Sequence, residues 1–259
     1  MKHDPVAIEW LAANWDAPSH IRAGTSLRYG GISPPPYDQL NLGMHVNDGH
    51  NNVLTNRERL SRHLKLPPEP VWLKQAHGNN IIQIDSQTDY ELTAKIADGS
   101  YSIAANKVCV VMTADCLPLL LCDTDGTQIA AIHIGWRGFS KNIVSVALEK
   151  FTCPHDKIIA WLGPCISADH YEIDATIYNA TRKIFSGAEE CFIETNEGHW
   201  LMDLKQLVYK QLITLEVRHI YTSPYCTYSD QTRFFSHRRD GITGRMASLI
   251  WMDSQSNID

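Results

Sequence analysis

Short runs of apolar, strand-forming residues separated by turn residues dominate the pattern of this 259-residue chain. Three such runs lie close together in the middle of the chain, at Lys107 to Met112, Leu119 to Cys122 and Gln128 to Ile132. The cluster Asp123-Thr124-Asp125-Gly126 separates the second run from the third and is typical of a tight turn. These two runs are therefore predicted to pair as an antiparallel hairpin.

The predicted hairpin brings a thiol and an imidazole together. With Thr124 and Asp125 at the centre of the turn, Cys116 lies directly opposite His133. With Asp125 and Gly126 at the centre, the two become diagonal neighbours on the same face, because side chains alternate along a strand with a period of two. An odd-length loop without a bulge would send them to opposite faces. Cys116 would then be an ordinary buried thiol.

A glycine-rich turn follows His133 and leads into a predicted helix. The turn is Gly135-Trp136-Arg137-Gly138, and its backbone N–H groups, together with Arg137, suit an anion. Alternatively, the glycines only allow a tight turn. The helix is expected from apolar positions at helical spacing, namely Ile143, Val144, Ala147, Leu148 and Phe151.

The rest of the chain contains further predicted helices and strands. A helix is expected over Asn51 to Leu64, a second after the capping residue Asp174 as far as Phe185, and a third after the capping residue Asp203. Seven further apolar runs predict strands, at Val6 to Trp10, Ile21 to Arg28, Val71 to Lys74, Ile81 to Ile84, Ile158 to Leu162, Arg218 to Tyr221 and Arg245 to Met252. No repeat, linker or low-complexity segment interrupts the pattern, which favours a single domain.

Three polar side chains in the first part of the chain are candidates for binding substrate or phosphate. Arg57 falls on the buried stripe of its helix, between Val53 and Leu60. A guanidinium group at such a position needs an anionic partner, either a structural carboxylate or a bound phosphate, unless its stem covers apolar surface. Arg28 and Asn41 flank a long loop rich in glycine and proline, where they serve either function or turn chemistry.

Four arginines lie close together near the end of the chain. They could line an anion pocket, but pairing with Asp230 and Asp240 or exposure to solvent is the preferred interpretation. The four are Arg233, Arg238, Arg239 and Arg245.

Composition and charge exclude several classes of protein. The formal net charge of −6 gives no electrostatic footprint for nucleic acid or for an anionic membrane. No apolar run approaches the roughly 20 residues needed to cross a bilayer. The seven cysteines are scattered without a Cys-x-x-Cys pair, and the first ten residues show no secretory leader. We therefore expect a reducing compartment and a cytoplasmic protein.

His77, at the end of a predicted strand, could join Cys116 and His133 in a metal site. Two imidazoles and one thiolate suit Zn²⁺, and three protein ligands leave a fourth position for water or substrate, as in catalytic zinc sites. Zinc would lower the pKa of a bound water to about 7. A lone histidine at a strand end is otherwise a hydrogen-bonded structural residue.

Two other kinds of chemistry use the same residues. Without a metal, Cys116 and a histidine would form a nucleophile pair, so a cysteine hydrolase is an alternative. Copper oxidase chemistry has less support, because the sequence lacks the several His-x-His clusters expected of a multinuclear copper site.

Strings of residues along the chain closely resemble the YfiH family, also called the laccase-domain or polyphenol-oxidase-like family, which includes mammalian FAMIN. Together they span almost the whole chain. The strings are LRYGGISPPPYDQLNLGMHVND, VWLKQAHGN, VMTADCLP, HIGWRG, AWLGPCI and FFSHRRDGITGRMAS.

The resemblance implies an α+β fold in which residues 1–259 form a single domain with mixed β-sheets flanked by helices. It also implies a Zn²⁺ site whose ligands are the histidine of QAHG, the cysteine of TADC and the histidine of HIGWRG. In this chain these are His77, Cys116 and His133, which are therefore also the expected catalytic residues.

The activities implied by the resemblance are phosphorolysis of purine nucleosides, including inosine, adenosine, guanosine and methylthioadenosine, and deamination of adenosine to inosine. Editing of peptidoglycan precursors and copper-linked polyphenol oxidation are also associated with the family.

We expect purine nucleosides and phosphate as ligands, with phosphate held by Arg57 and the turn around Arg137. Gln75 and Asp115 are candidates for orienting the metal ligands, although Asp115 could simply bond backbone. The combined signature of zinc deaminases, a His-x-Glu together with a Pro-Cys-x-x-Cys, is missing because the chain has no Pro-Cys-x-x-Cys, so no acid/base residue is assigned.

Overall fold

A computed structural model describes residues 7–67, 70–85 and 95–253. In this part of the chain thirteen strands form three sheets, and six α-helices pack against them. The strands are β1 (Trp10–Ala12), β2 (Ile21–Ser26), β3 (Ile81–Gln83), β4 (Gly99–Ser102), β5 (Val108–Thr113), β6 (Leu117–Asp123), β7 (Ile129–Ile134), β8 (Ile158–Leu162), β9 (Glu172–Asp174), β10 (Phe192–Asn196), β11 (His199–Met202), β12 (His219–Thr222) and β13 (Met246–Met252). The helices are α1 (His50–Leu64), α2 (Trp136–Ser140), α3 (Ile143–Leu148), α4 (Ala175–Thr181), α5 (Leu204–Thr214) and α6 (His237–Asp240).

The sheets mix parallel and antiparallel pairs. A six-stranded sheet has the order β12-β8-β6-β7-β4-β3, a four-stranded sheet the order β1-β2-β13-β5 and a three-stranded sheet the order β10-β11-β9. The β3–β4 and β8–β12 pairs are parallel and the other strand pairs are antiparallel. The α+β fold class with mixed sheets flanked by helices is thus confirmed, while the extent of the single domain over residues 1–259 stays a prediction.

The two larger sheets pack face to face between helices. Cys109 and Val111 of β5 contact apolar residues of β6 and β7 in the layer between the sheets. The outer face of the six-stranded sheet is covered by α3 and α5, and that of the four-stranded sheet by Leu60 of α1 together with Leu40 and Leu42. Strands that are buried on both faces read as continuous apolar runs, which explains the sequence pattern of β5 to β8.

The hairpin of β6 and β7 has the second of the two registers predicted from the sequence. Leu117 pairs with Ile134, and Pro118 pairs with His133. Cys116 is therefore a diagonal neighbour of His133 on the same face, because side chains two residues apart share a face. That face is the one turned toward the four-stranded sheet.

Most predicted helices and strands are present, with changed ends. Asp174 and Asp203 cap α4 and α5, accepting bonds from Ile177 N at 3.0 Å and Gln206 N at 2.8 Å, but α4 ends at Thr181 rather than at Phe185. The helix predicted after the glycine-rich turn is two short helices, α2 and α3. It breaks at Asn142, whose φ of 61° is left-handed.

Two predicted strands are wrong in part. Residues 71–74 make only isolated bridges, Val71 with Cys109 and Lys74 with Ile96. The first strand begins at Trp10, and Val6 lies outside the described residues. Within the described ranges, every helix is too short or too polar to cross a bilayer.

Candidate metal site

His77, Cys116 and His133 meet at one end of the layer between the two large sheets. Each offers one ligand atom, and these atoms all lie within 4.8 Å of one another. Sγ of Cys116 lies 3.9 Å from Nε2 of His77, and the two imidazole rings meet edge to face with centroids 4.7 Å apart. His133 is buried, Cys116 is half-buried and His77 is partly exposed, so the group has one open side.

The backbone places these residues through tight local turns. Cys116 lies where the chain crosses from β5 in one sheet to β6 in the other, next to Asp115, whose φ is 94°. His77 lies in the loop before β3 with a φ of 56°. Both angles fall in the left-handed region that non-glycine residues seldom adopt. Such conformations occur at ligand-binding sites where the surrounding structure holds them in place.

The buried carboxylate of Asp98 ties His133 to the loop that carries His77. Oδ1 accepts from Nδ1 of His133 at 2.9 Å. The two carboxylate oxygens also accept the backbone N–H groups of Ala76, His77 and Gly78, at 3.2, 2.8 and 2.6 Å. With Nδ1 of His133 engaged, its Nε2 is the nitrogen left to bind a metal, which is the usual arrangement of a metal-binding histidine.

The environment favours ionised forms of the thiol and of His133. Burial alone would raise the pKa of the Cys116 thiol, but the charge of His133 and bonds from both histidines lower it to about 6. Burial likewise opposes protonation of His133, but the Cys116 thiolate and Asp98 raise its pKa to about 9. Burial would also raise the pKa of Asp98, and bonds from His133 and the Gly78 N–H lower it below its usual value. A metal cation bound to His133 would be stabilised by the same two negative groups, the Cys116 thiolate and the Asp98 carboxylate.

The donor set fits a tetrahedral metal ion such as zinc. Ordinary Zn–S and Zn–N bonds separate a sulfur and a nitrogen ligand by about 3.6 Å in a tetrahedral site, close to the 3.9 Å between Sγ of Cys116 and Nε2 of His77. Thiolate and imidazole are the ligands that zinc prefers, and the open side supplies a fourth position.

Gly135 leaves room for this group of side chains. A Cβ atom at this position would lie 2.9 Å from Cδ2 of His77 and 3.1 Å from Sγ of Cys116. The φ of Gly135 is −95°, a value that any residue adopts. The glycine is therefore required by the close approach of the two ligands and not by its backbone conformation.

The three residues open into a cavity of about 420 Å³, a size typical of sites for small molecules. We refer to it as the central cavity. Trp136 and Tyr171 form aromatic parts of its wall, and His45, from the loop before α1, also lines it. Burial and the nearby charge of Arg245 lower the pKa of His45 to about 4, so its imidazole is neutral near pH 7.

The wall of the central cavity carries positive charge. Arg137, Arg238 and Arg245 line it, against the single carboxylate of Asp115. Both oxygens of that carboxylate are engaged, since Oδ1 accepts from the Thr227 hydroxyl at 2.7 Å and Oδ2 accepts from the backbone N–H of Arg238 at 2.6 Å. The cavity therefore suits an anionic ligand.

The preferred interpretation of the four C-terminal arginines holds for the two that pair with acidic residues and for Arg238, which is exposed to solvent, but not for the half-buried Arg245. Arg233 pairs with Asp230, and Arg239 pairs with Asp240. Arg238 in α6 and Arg245 before β13 instead reach the central cavity. They do so because the turn between α6 and β13 folds back against the crossing from β5 to β6.

Arg28, Asn41 and Arg57 lie outside the described residues that line the central cavity. Arg57 donates to the carbonyl oxygen of Leu42 from Nε at 3.0 Å and from Nη2 at 2.8 Å, and its guanidinium lies 3.9 Å from the centre of the Trp72 ring. These contacts are structural. Phosphate binding by Arg57 stays a prediction.

Asn41 and Arg28 likewise bond other parts of the chain. Asn41 is fully buried, and its Oδ1 accepts from the backbone N–H of Arg245 at 3.0 Å, so it positions a residue of the cavity wall. Arg28 donates from Nη1 to the carbonyl oxygen of Gln231 at 2.9 Å and stacks on Phe235. Its guanidinium is thus held at a separate part of the surface.

Gln75 and Asp115 line the central cavity and hold neighbouring backbone segments of its wall in place. The side chain of Gln75 bonds both the N–H and the carbonyl oxygen of Met112, at 2.7 and 2.8 Å. This fixes the loop before His77 to the end of β5. Asp115 bonds α6 and Thr227 as described above, so it joins the Cys116 turn to Arg238.

Sequence reasoning missed Asp98, His45 and Tyr171. Asp98 stands in an Ala-Asp-Gly turn, and nothing in this local pattern distinguishes a buried carboxylate from a surface one. Its four bonds come from segments at residues 76–78 and 133, so only the folded chain shows its role. His45 and Tyr171 are single residues in loops, without a motif around them.

Comparison with known proteins shows the family to which the chain belongs. Residues 22–253 match the family model described as multi-copper polyphenol oxidoreductase laccase. The chain is 40% identical over 242 residues to the purine nucleoside phosphorylase YfiH of Escherichia coli, covering 93% of this chain and 98% of that protein. It is 37% identical over 244 residues to a purine nucleoside phosphorylase of Pseudomonas aeruginosa, covering 94% and 98%.

A solved structure shares the fold. A protein of Neisseria meningitidis superposes with a TM-score of 0.88 at 37% identity, over 95% of this chain and 99% of that one. The matching family model and the shared fold place the chain in a class of proteins with packed mixed sheets flanked by helices. The chain belongs to the YfiH-type family, whose model bears the laccase description.

Proposed function

We propose that this protein is a zinc-dependent purine nucleoside phosphorylase, acting on inosine, adenosine, guanosine and methylthioadenosine. The observation that carries the proposal is the position of the His77, Cys116 and His133 group at the floor of a cavity with three arginines in its wall. An open metal site beside a cationic wall suits a reaction in which phosphate attacks a bound nucleoside. The names of the relatives point to the same activity.

In this reaction a phosphate oxygen forms a bond with the ribose C1′ as the C1′–N9 bond breaks, and the departing purine takes up a proton. Arg238, Arg245 and Arg137 would hold the phosphate dianion and bring it to the ribose, an effect of orientation and charge. Trp136 and Tyr171 offer aromatic surface to the purine ring. Neutral His45 can both donate and accept a hydrogen bond.

Zinc held by His77, Cys116 and His133 would supply a Lewis acid and a water of lowered pKa. Asp98 would keep Nδ1 of His133 protonated, so that Nε2 faces the ion. We favour zinc over copper because the described residues hold one group of three such ligands, whereas a multinuclear copper site needs several. The same site would deaminate adenosine, in which water replaces the C6 amino group and ammonia leaves.

The test is product formation from inosine by the purified protein. We expect hypoxanthine and ribose 1-phosphate only when phosphate is present, and loss of both products in Cys116→Ala. Cys153→Ala is the matched control, because Cys153 lies outside the central cavity. Adenosine should give inosine without phosphate. Hypoxanthine release that is independent of phosphate would contradict the proposal.

A cysteine hydrolase acting on peptidoglycan precursors is the second candidate. The specific observation in its favour is the low pKa of the Cys116 thiol beside a protonated His133, which is the state of an activated Cys–His pair. Such an enzyme would release an amino acid from muramyl peptides after removal of all metal and would leave inosine untouched.

A further inference from the structure

Thr113 is the last residue of β5 and carries a buried hydroxyl. The residue is 2% exposed, and its Oγ1 has no hydrogen-bond partner among the described residues. Its side chain follows Cys109 and Val111 on the face of β5 turned toward the six-stranded sheet, because these positions alternate with a period of two. Thr113 also lines the cavity, three residues before Cys116.

An unpaired buried hydroxyl is costly, and native structures generally pair such groups. Neighbouring hydroxyls follow that rule. Thr25 bonds Ser248 at 2.7 Å, and Thr227 bonds Asp115 at 2.7 Å. Of the four described residues with an unpartnered buried side-chain atom, only Thr113 lines the central cavity. A ligand in the cavity is therefore the natural partner of its hydroxyl.

The charge near Thr113 indicates what that ligand offers. In the pairing of β5 with β13, Thr113 lies directly opposite Met246, and Arg245 precedes Met246 in the cavity wall. The side chain of Arg245 uses Nη1 to bond the carbonyl oxygens of Thr243 and Gly244, which holds its charge in place. A hydroxyl in the wall of a cavity that also holds a fixed guanidinium is matched to an anionic oxygen.

Building on the proposed function, we propose that Oγ1 of Thr113 donates a hydrogen bond to an oxygen of the phosphate substrate and that this contact sets the affinity for phosphate. The ribose hydroxyls are the competing partner. Removing the hydroxyl distinguishes these two possibilities, because only the substrate that bonds it, phosphate or nucleoside, should lose affinity.

The test compares Thr113→Val, which replaces the hydroxyl with a methyl group of similar shape, with Thr113→Ser, which keeps it. In steady-state phosphorolysis of inosine, Thr113→Val should raise the KM for phosphate about tenfold or more, the usual effect of losing a bond to a charged group. The KM for inosine should stay within about twofold. Thr113→Ser should restore most of the phosphate affinity.

Thermal unfolding gives a readout that does not depend on activity. Without ligand, Thr113→Val should melt at a higher temperature than the wild type, because it removes an unpaired buried hydroxyl. Added inorganic phosphate should raise the melting temperature of the wild type and of Thr113→Ser, but much less that of Thr113→Val. A purely structural role for the hydroxyl would not give these opposite effects.

The possible outcomes distinguish failure of the Thr113 inference from failure of the proposed function. If Thr113→Val raises only the KM for inosine, the hydroxyl binds the nucleoside and the assignment to phosphate is wrong. If neither KM nor the phosphate-induced shift changes, the hydroxyl holds only water and the inference fails while phosphorolysis stands. If the wild type forms no product yet phosphate stabilises it and not Thr113→Val, the inference stands and the proposed function fails. If phosphate neither reacts with nor stabilises the wild type, both fail.

Discussion

Asp98 and His133 are joined by two hydrogen bonds, one between side chains and one between backbones. Oδ1 of Asp98 lies 2.9 Å from Nδ1 of His133, and the N–H of His133 donates to the carbonyl oxygen of Asp98 at 2.7 Å. Because the same carboxylate accepts the N–H groups of residues 76–78, one side chain fixes the positions of both imidazoles. The geometry of the metal site depends on it.

Replacing Asp98 should therefore weaken metal binding without touching a ligand. In Asp98→Asn, the amide cannot accept all four bonds, and its NH₂ group would face backbone donors. We expect zinc affinity to fall about 10- to 100-fold, the usual effect of losing a partner of a metal-binding histidine. Competition with a chelator of known affinity measures it. Asp174→Asn is the control, because asparagine also caps a helix. Equal affinities in the two variants would contradict this role.

A methyl group at Gly135 should push the ligands apart. The added Cβ of Gly135→Ala would lie 2.9 Å from the His77 ring and 3.1 Å from Sγ of Cys116, and one of the two must move. We expect metal affinity to fall at least about tenfold while the fold persists. Metal titration and circular dichroism check this result. In the control Gly49→Ala, the nearest atom belongs to the side chain of Asn52, at 3.0 Å, which is far from the metal ligands in the chain and does not line the central cavity. Unchanged metal binding by Gly135→Ala would show that the site has more room.

The Cys116 thiol should react as a thiolate near neutral pH once metal is removed. Its pKa of about 6 predicts an iodoacetamide rate that rises through pH 6 and levels off by about pH 7. Burial raises the pKa of Cys109 and Cys165 to about 12, so these two thiols should react only slowly with iodoacetamide. The pKa of Cys226 is also lowered, by bonds from Ser167 and Ser229 against the effect of burial, and the assay is best done in Cys226→Ala. A midpoint near pH 9 would contradict the pairing with His133.

The same pair should contribute little pH dependence to the stability of the metal-free protein. In the unfolded protein, Cys116 and His133 together bind one proton, on the thiol, between about pH 6.5 and 8.5. In the folded protein they bind one proton, on His133, between pKa values of about 6 and 9. Because both states bind the same number of protons, the slope of unfolding free energy with pH is near zero over this range. Urea unfolding from pH 7 to 8.5, compared with Cys116→Ala, measures it.

Removing a guanidinium from the cavity wall should weaken phosphate binding. For Arg238→Met and Arg245→Met we expect the KM for phosphate to rise about tenfold or more, because each loses a charge facing the anion. The KM for the nucleoside should change less. Arg62→Met on α1 is the control, since Arg62 pairs with Glu58 on an exposed surface. If both cavity variants kept the wild-type KM for phosphate, the anion would bind elsewhere.

The sequence predicted those parts of the site that depend on strand periodicity. Cys116 and His133 share a face because the pleat alternates along β6 and β7, and the turn residues limited the register to two choices. The capping bonds of Asp174 and Asp203 follow from local chemistry in the same way. His77 has no such pattern: its position at a strand end only made it a candidate for the group, and the family resemblance implied that it is a ligand.

What the sequence could not give are contacts between distant segments. Arg57 does lie on the inner side of α1, but its partners are the carbonyl oxygen of Leu42 and the ring of Trp72, which no periodic pattern encodes. Arg238 and Arg245 were expected to be solvated or paired with Asp230 and Asp240, because charge near a strand end usually is, and nothing in the local sequence shows that they line a cavity. Their direction is set by the packing of α6 and β13 against the β5–β6 crossing.

Metal content per chain tests the central claim most directly. Elemental analysis of the purified wild-type protein should find about one zinc ion per chain, as three ligands around one ion require. His77→Ala, Cys116→Ala and His133→Ala should each lose most of it, while His170→Ala, whose ring stacks on Tyr228 outside the cavity, should keep it. A full zinc content in all three ligand variants, or a folded wild type that binds no metal when zinc is supplied, would contradict the account.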